Sequence, residues 1–369
     1  MTLPGTSEGL SLGRVRNERC DYICGVRYPK IELHVHLEGT VRPETLLEIA
    51  RRNDYALPCT TPEELRELYE FRDFAHFIEV WVLTTNALRT AEDFRQVVLD
   101  YAAEASSHGA VYIEGIFSPS ERVRRGVGWD EIFSGYCDGA QEAREQFGVE
   151  MRLTPDIVRG FTLDEANAVV HYAAKYRERG VVGVGLGGME ADYPPEPYAP
   201  SFALARAEGL ASVPHAGEFA GAGSVRGALE ALGADRLRHG IRAVEDPGLV
   251  RELAGRGTVL DVCPISNLRT KAVSSLDEHP LPTLVAAGVP CSISTDDPAM
   301  FATDLTRDCD AAISLGVEPQ SFYRAGLAGA LCDEATRARL VSIGENFDWS
   351  ATTTATLVSM KSEDLRGTG

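Results

Sequence analysis

Ala110-Val111-Tyr112-Ile113-Glu114-Gly115-Ile116-Phe117 is a short apolar run rich in β-branched and aromatic residues, and a segment of helical spacing at 130–147 follows it after a polar turn. The same beat repeats to the end of the 280s. Apolar runs at 31–36, 110–117, 150–157, 181–186, 211–215, 236–239, 258–263 and 289–295 predict eight strands. Helical spacing at 43–53, 130–147, 162–179, 198–208, 224–232, 246–256 and 280–288 fills the gaps. Alternating strands and helices imply parallel strands joined by right-handed crossovers. Eight such units predict an α/β fold, a (β/α)8 TIM-type barrel with its active site at the carboxyl ends of the strands.

The first unit departs from this rhythm. Residues 57–107 carry no strand pattern but three helical ones, at 62–70, 73–88 and 92–107, which predicts a helical insertion after strand 1. Phe74, Phe77, Ile78, Trp81 and Leu88 form an apolar stripe there, expected to pack on the barrel, with a lid over its mouth as the alternative. Residues 1–27, rich in Gly, Ser, Arg and Asn, predict a disordered lead-in, and 351–369 a frayed tail. Residues 28–350 are then one catalytic barrel.

Composition bounds the function. A chain of 369 residues, 44% hydrophobic and 25% charged, has enough apolar content for a large core. The net charge of −19 argues against nucleic acid or an anionic membrane as partner, since both demand clustered Lys and Arg. A small molecule is the expected partner, and the oligomeric state is left open. No apolar stretch is long enough for a signal peptide or membrane span, so the cytoplasm is the expected compartment. The eight cysteines form no framework; Cys20 and Cys24 have no matching second pair, so isolated thiols are expected.

The chemistry sits at the strand ends. In Lys30-Ile31-Glu32-Leu33-His34-Val35-His36, the two histidines are two residues apart, so on a strand both imidazoles face one way and can converge on one ion. A lone His-x-His is more often surface or structural, and the case rests on what joins it. Strand five ends in His215, strand six in His239, and strand eight in Ser294-Thr295-Asp296-Asp297-Pro298. His34, His36, His215 and a strand-eight carboxylate suit a divalent transition metal. Zinc leads, with iron, cobalt and manganese compatible with the same donors. Water on such an ion reaches a pKa near ~7, which points to hydrolysis. Glu218, three residues past His215, is placed to shuttle a proton, with helix capping or a surface acid as its plainer role.

Five ordered stretches carry a resemblance: Glu32-Leu33-His34-Val35-His36-Leu37-Glu38-Gly39, His215-Ala216-Gly217-Glu218, Arg238-His239-Gly240, Cys263-Pro264-Ile265-Ser266-Asn267 and Ser294-Thr295-Asp296-Asp297-Pro298. Together they resemble the adenosine deaminase family of zinc-dependent aminopurine hydrolases, over about residues 29–350. The resemblance implies one zinc held by His34, His36, His215 and Asp296. It implies that Glu218 protonates the purine N1, that His239 orients the hydroxide attacking C6, that Asp297 bonds N7 and that the Gly188 backbone meets N3. Ammonia would leave and a 6-oxopurine remain.

By the same resemblance, Glu38 stands where many adenosine-preferring members carry Asp, near the ribose 5′ end, so the longer side chain is expected to shrink the sugar pocket. His36-Leu37-Glu38-Gly39 and Pro194-Pro195 resemble the adenine deaminase branch. Gly187-Gly188 resembles the nucleoside branch, and the 185–195 region resembles members acting on 6-amino-6-deoxyfutalosine, an adenosine-like nucleoside bearing an aryl group beyond its 5′ end. The expected substrate is a 6-aminopurine nucleoside, with adenine deamination the alternative and a non-catalytic nucleoside-binding barrel a distant one.

Competing chemistries fail on residues. A cytidine-type zinc deaminase needs Pro-Cys-x-x-Cys, and neither Pro58-Cys59 nor Pro290-Cys291 continues to it. A two-metal amidase or phosphotriesterase needs a bridging lysine, and the strand-four run has none. His76, His108, His171 and His279 are expected in structural or surface roles, and Cys263 in packing.

Overall fold

The computed structural model describes residues 28–350 and 352, so the predicted lead-in at 1–27 and all but Thr352 of the predicted tail at 351–369 lie outside the described residues. Nine short strands occur among them: β1 (Lys30–His36), β2 (Ala110–Phe117), β3 (Glu150–Val158), β4 (Gly183–Gly187), β5 (Ala211–Ser212), β6 (His215–Ala216), β7 (Leu237–His239), β8 (Leu260–Val262) and β9 (Cys291–Ile293). Every pairing is parallel, in the orders β1-β2-β3-β4-β5 and β6-β7-β8-β9.

The predicted fifth strand is thus two pieces, and the reason is local. Pro214 has no N–H to give to a ladder, so pairing stops between Ser212 and His215. The Val213 N–H still reaches the Val184 carbonyl at 3.0 Å, keeping the interrupted segment beside β4. On the opposite side, Val35 bridges Asp296 in parallel, through His36 N–H to Asp296 O (2.7 Å) and Asp296 N–H to His34 O (3.1 Å). Two sheets therefore meet at β1, and that contact is made by the candidate ligands' own backbone.

Helices lie between the strands as the alternation requires. The insertion consists of helices at Pro62–Leu68, Phe74–Thr85 and Ala91–Ser107, close to the predicted three. Each starts at a side chain that accepts an otherwise unpaired N–H: Thr61 and Thr90 in capping boxes with Glu64 and Asp93, and Asp73 from His76 N–H. Residues 298–350, left without predicted elements, form helices Leu305–Ser314, Pro319–Gly329 and Glu334–Asn346. The second packs on β1 and β9 and so backs the strands that carry the site.

The barrel interior below the site is charged. Arg236 bonds Asp261 and Glu114 (2.7 Å to the latter) and the Gly329 carbonyl (2.6 Å), while Arg238 pairs with Asp156 and donates to Thr154 Oγ1 (2.7 Å). All are buried. Two guanidiniums face three carboxyls there, and most of their donors meet oxygen acceptors, which is what keeps such burial from being prohibitive.

Candidate metal centre and active-site cavity

Four donors converge where β1, β6 and the turn after β9 end. His36 Nε2 and His34 Nε2 each lie 3.1 Å from His215 Nε2, and Asp296 Oδ1 lies 3.2 Å from His34 Nε2 and 3.3 Å from His36 Nε2. Ligands at ~2.0–2.1 Å from one ion are separated by roughly 2.9 Å at a right angle and roughly 3.4 Å at the tetrahedral angle. The observed spacings fall between the two.

The tautomers make the same point. His215 Nδ1 faces the Leu186 carbonyl at 3.1 Å and His34 Nδ1 the Asp261 carbonyl at 3.4 Å, so each ring carries its proton on Nδ1. Their Nε2 lone pairs then point at each other across 3.1 Å, an arrangement that a cation between them stabilises. Burial holds the rings neutral: it pulls His36 down to about 3 and puts His34 and His215 well below the ordinary histidine value. Neutral imidazoles and one carboxylate are the chemistry of a divalent transition-metal site, so the residues fit a zinc ion.

His239 lies beside this quartet with the opposite tautomer. Leu281 N–H donates to His279 Nδ1 (3.1 Å), which leaves the proton on His279 Nε2 to go to Asn267 Oδ1 (3.2 Å). Asn267 Nδ2 then donates to His239 Nδ1 (3.2 Å), so the His239 proton sits on Nε2, 3.3 Å from Glu218 Oε2 and 3.7 Å from Asp296 Oδ2. Thus His239 offers a donor to the site. His279, expected to be structural, fixes that tautomer from behind, and Asn267 links the two rings. Their relevance shows only once the chain from 267 to 281 is folded under β7.

Backbone geometry aims these groups. His239 (φ 61°) and Asp296 (φ 66°) both adopt left-handed conformations, a strain of order 1–3 kcal/mol each that the surrounding bonds hold in place. Gly217 turns the chain between His215 and Glu218 at φ 76°, and a Cβ there would lie 2.4 Å from Val225 Cγ2. At Gly39 a Cβ would lie 1.9 Å from Asp297 Oδ1, so only glycine lets Asp297 into place.

A cavity opens above the quartet. Glu218, His239, Asp296, Asp297, Gly188 and His36 line its polar side. Phe74, Phe77, Ile78, Trp81 and Val82, all from the helix Phe74–Thr85, form an apolar wall opposite. The stripe expected to serve packing therefore serves both packing and the cavity. Trp81 goes further, donating its indole N–H to Asp297 Oδ1 at 2.8 Å. Phe74 packs on Phe219, the residue after Glu218, with ring centroids 4.0 Å apart and planes tilted by 32°.

Burial sets the state of two of the carboxyls. Burial, then the charges of Asp296, Glu190 and Asp297, raises Glu218 well above the ordinary carboxylic acid value, as a proton donor requires. Asp297 is raised in the same way, by burial and then Asp296. Asp296 is held by Ser266, whose hydroxyl donates to Oδ2 at 2.5 Å.

Glu38 is placed differently from the other predicted residues. It is buried, does not line the cavity, accepts the Ser118 N–H at 2.8 Å and faces the Arg122 guanidinium at 3.7 Å. Its reach to the cavity is through Ser118, which does line it. Cys263 is fully buried with a thiol raised by burial, as expected for packing.

This geometry has close relatives. The family model described as adenosine deaminase matches residues 29–343. An aminodeoxyfutalosine deaminase of Acidothermus cellulolyticus is 55% identical over 344 residues, 91% of this chain and 97% of that protein. An adenine deaminase of Cupriavidus necator is 39% identical over 285 residues, 77% of this chain and 81% of that one. The crystal structure of an amidohydrolase from Burkholderia ambifaria with bound zinc superposes with a TM-score of 0.81 at 26% identity, covering 94% of this chain and 97% of that one. The chain accordingly belongs to the adenosine deaminase family, and it is a hydrolase of carbon–nitrogen bonds on an amidohydrolase-type (β/α)8 barrel.

Proposed function

We propose that this enzyme hydrolytically deaminates a 6-aminopurine nucleoside, with 6-amino-6-deoxyfutalosine the foremost candidate, and that His34, His36, His215 and Asp296 hold one zinc ion per chain. The observation that carries the reading is the meeting, on one cavity, of that quartet, a buried carboxyl raised toward its protonated form and an apolar wall. Bound there, zinc supplies an activated water at neutral pH.

The chain's own groups do the rest. Glu218 gives its proton to N1, which makes C6 electron-poor, and the His239 Nε2–H orients the entering oxygen. Asp297, steadied by Trp81, hydrogen-bonds N7, and the Gly188 backbone meets N3, so the purine is held by both rings. His36 borders the same space. Water adds at C6, the C6–N bond breaks and ammonia departs, leaving a carbonyl at C6.

The substrate assignment leans on the wall. Five apolar side chains from one helix suit a nucleoside with an apolar extension better than adenine, and the 55% identical relative named for aminodeoxyfutalosine supports the same choice over the 39% identical adenine deaminase. Residues 28–350 then act as one deaminase unit with 57–107 as its cavity-forming insertion. No helix among the described residues is long and apolar enough to cross a membrane. Six of the cysteines are free thiols, which supports action in a reducing compartment such as the cytoplasm. Incubating the zinc-loaded enzyme with the nucleoside should release ammonia as an adenine-type ultraviolet spectrum becomes hypoxanthine-like. Absence of both changes with every 6-aminopurine offered would reject the reading.

A further inference from the structure

Glu190 lies in the loop after β4 and reaches 27 to 30 residues ahead to the turn that carries Glu218. Its Oε2 accepts the N–H groups of Glu218 (3.0 Å), Phe219 (2.8 Å) and Ala220 (3.1 Å), and its Oε1 those of Gly217 and the Ser224 hydroxyl (2.6 Å). Four consecutive backbone donors and one side-chain donor thus end on one buried carboxylate. Consecutive N–H groups can face one anion because Gly217 adopts the left-handed conformation, making the turn a concave nest.

We infer that Glu190 is a positioning residue for Glu218, an internal anion around which the 217–220 turn is wrapped so that the proton-donating carboxyl is held at the substrate. All five partners donate, so an acceptor-only group is what the nest requires. A glutamine of the same size would turn an amide N–H2 toward these donors, while an aspartate would keep the charge but fall one methylene short. The inference rests on the deaminase reading for its kinetic consequence, though not for its structural one.

The test compares zinc-loaded full-length wild type with Glu190→Gln and Glu190→Asp. For Glu190→Gln, kcat should fall by about 10²-fold with KM within about threefold, because misplacing a catalytic group costs turnover more than binding. Zinc content should be unchanged, and amide hydrogen exchange at 217–220 should accelerate by at least about tenfold while the barrel strands keep their protection. Glu190→Asp should lie between the two. A kcat within threefold of wild type with unchanged exchange at 217–220 would overturn the proposal. So would faster exchange spread evenly over the barrel with loss of zinc, which is the mark of general destabilisation. Exchange is read whether or not any aminopurine turns over, so an inert wild type would count against the substrate reading, with Glu190 still decided by the exchange at its nest.

Discussion

Replacing Glu218 by Gln separates catalysis from folding in this site. The side chain is buried and raised toward its protonated form first by burial, then by Asp296, Glu190 and Asp297. A protonated carboxyl and a carboxamide have nearly the same shape, so the backbone nest around 217–220 is undisturbed, but the amide has no proton to give N1. General acid catalysis is worth roughly 10²–10⁴-fold, or about 3–5 kcal/mol of barrier, and kcat should fall by that factor. Stability should move the other way. A carboxyl whose folded pKa is raised binds more protons in the native than in the unfolded state, so it costs stability as pH rises from the unfolded value to the folded one. Glutamine removes that cost. Steady-state ammonia release, zinc content and Tm from pH 5 to 8 measure all three. Glu218→Gln should be nearly inactive, zinc-replete and at least as stable as wild type at pH 8, its advantage shrinking as pH is lowered. Turnover within tenfold of wild type would refute the role of Glu218 as proton donor, and a Tm below wild type at pH 8 would refute the electrostatic argument.

Two further outcomes follow from the same geometry. Trp81→Phe removes the indole donor from Asp297 Oδ1 and leaves a buried carboxyl oxygen unpaired at a cost of about 1–3 kcal/mol, so kcat/KM should fall by roughly 5–150-fold, most of it in KM; unchanged kcat/KM would show that the insertion does not set Asp297. Dialysis against a chelator should abolish activity and lower Tm, and stoichiometric zinc should restore both, since an ion that binds only the folded quartet stabilises it by mass action; full activity in metal-free protein would contradict the quartet's assignment.

The strand-borne donors were legible because a strand's period of two puts His34 and His36 on one face, and because the parallel alternation brings all strand ends to one mouth. Pro214 is the local sign that the fifth strand breaks. Asp304, Pro319 and Asp333 likewise mark the starts of the three unpredicted helices, Asp304 and Asp333 by accepting N–H groups of the first turn. Other groups were beyond local pattern. Glu190, Asn267, His279 and Ser266 matter through contacts made only after the strand ends are gathered, and no spacing rule announces a residue whose work is to hold another. The stripe on Phe74–Thr85 predicts packing, with a lid over the mouth as the alternative, because an apolar stripe looks the same whether it faces a core or a ligand. Glu38 is expected near the sugar; its carboxyl meets Ser118 N–H and faces Arg122, a direction set by where Arg122 lies 84 positions later.

The activity proposed for this barrel is deamination of an aryl-extended aminopurine nucleoside. Its most direct test is kcat/KM for ammonia release by the zinc-loaded enzyme with 6-amino-6-deoxyfutalosine, adenosine, 2′-deoxyadenosine and adenine measured side by side. The kcat/KM for 6-amino-6-deoxyfutalosine should exceed that for adenine by at least about 100-fold, the value of roughly 3 kcal/mol of apolar contact along the Phe74–Thr85 wall. Equal or greater kcat/KM with adenine would contradict it.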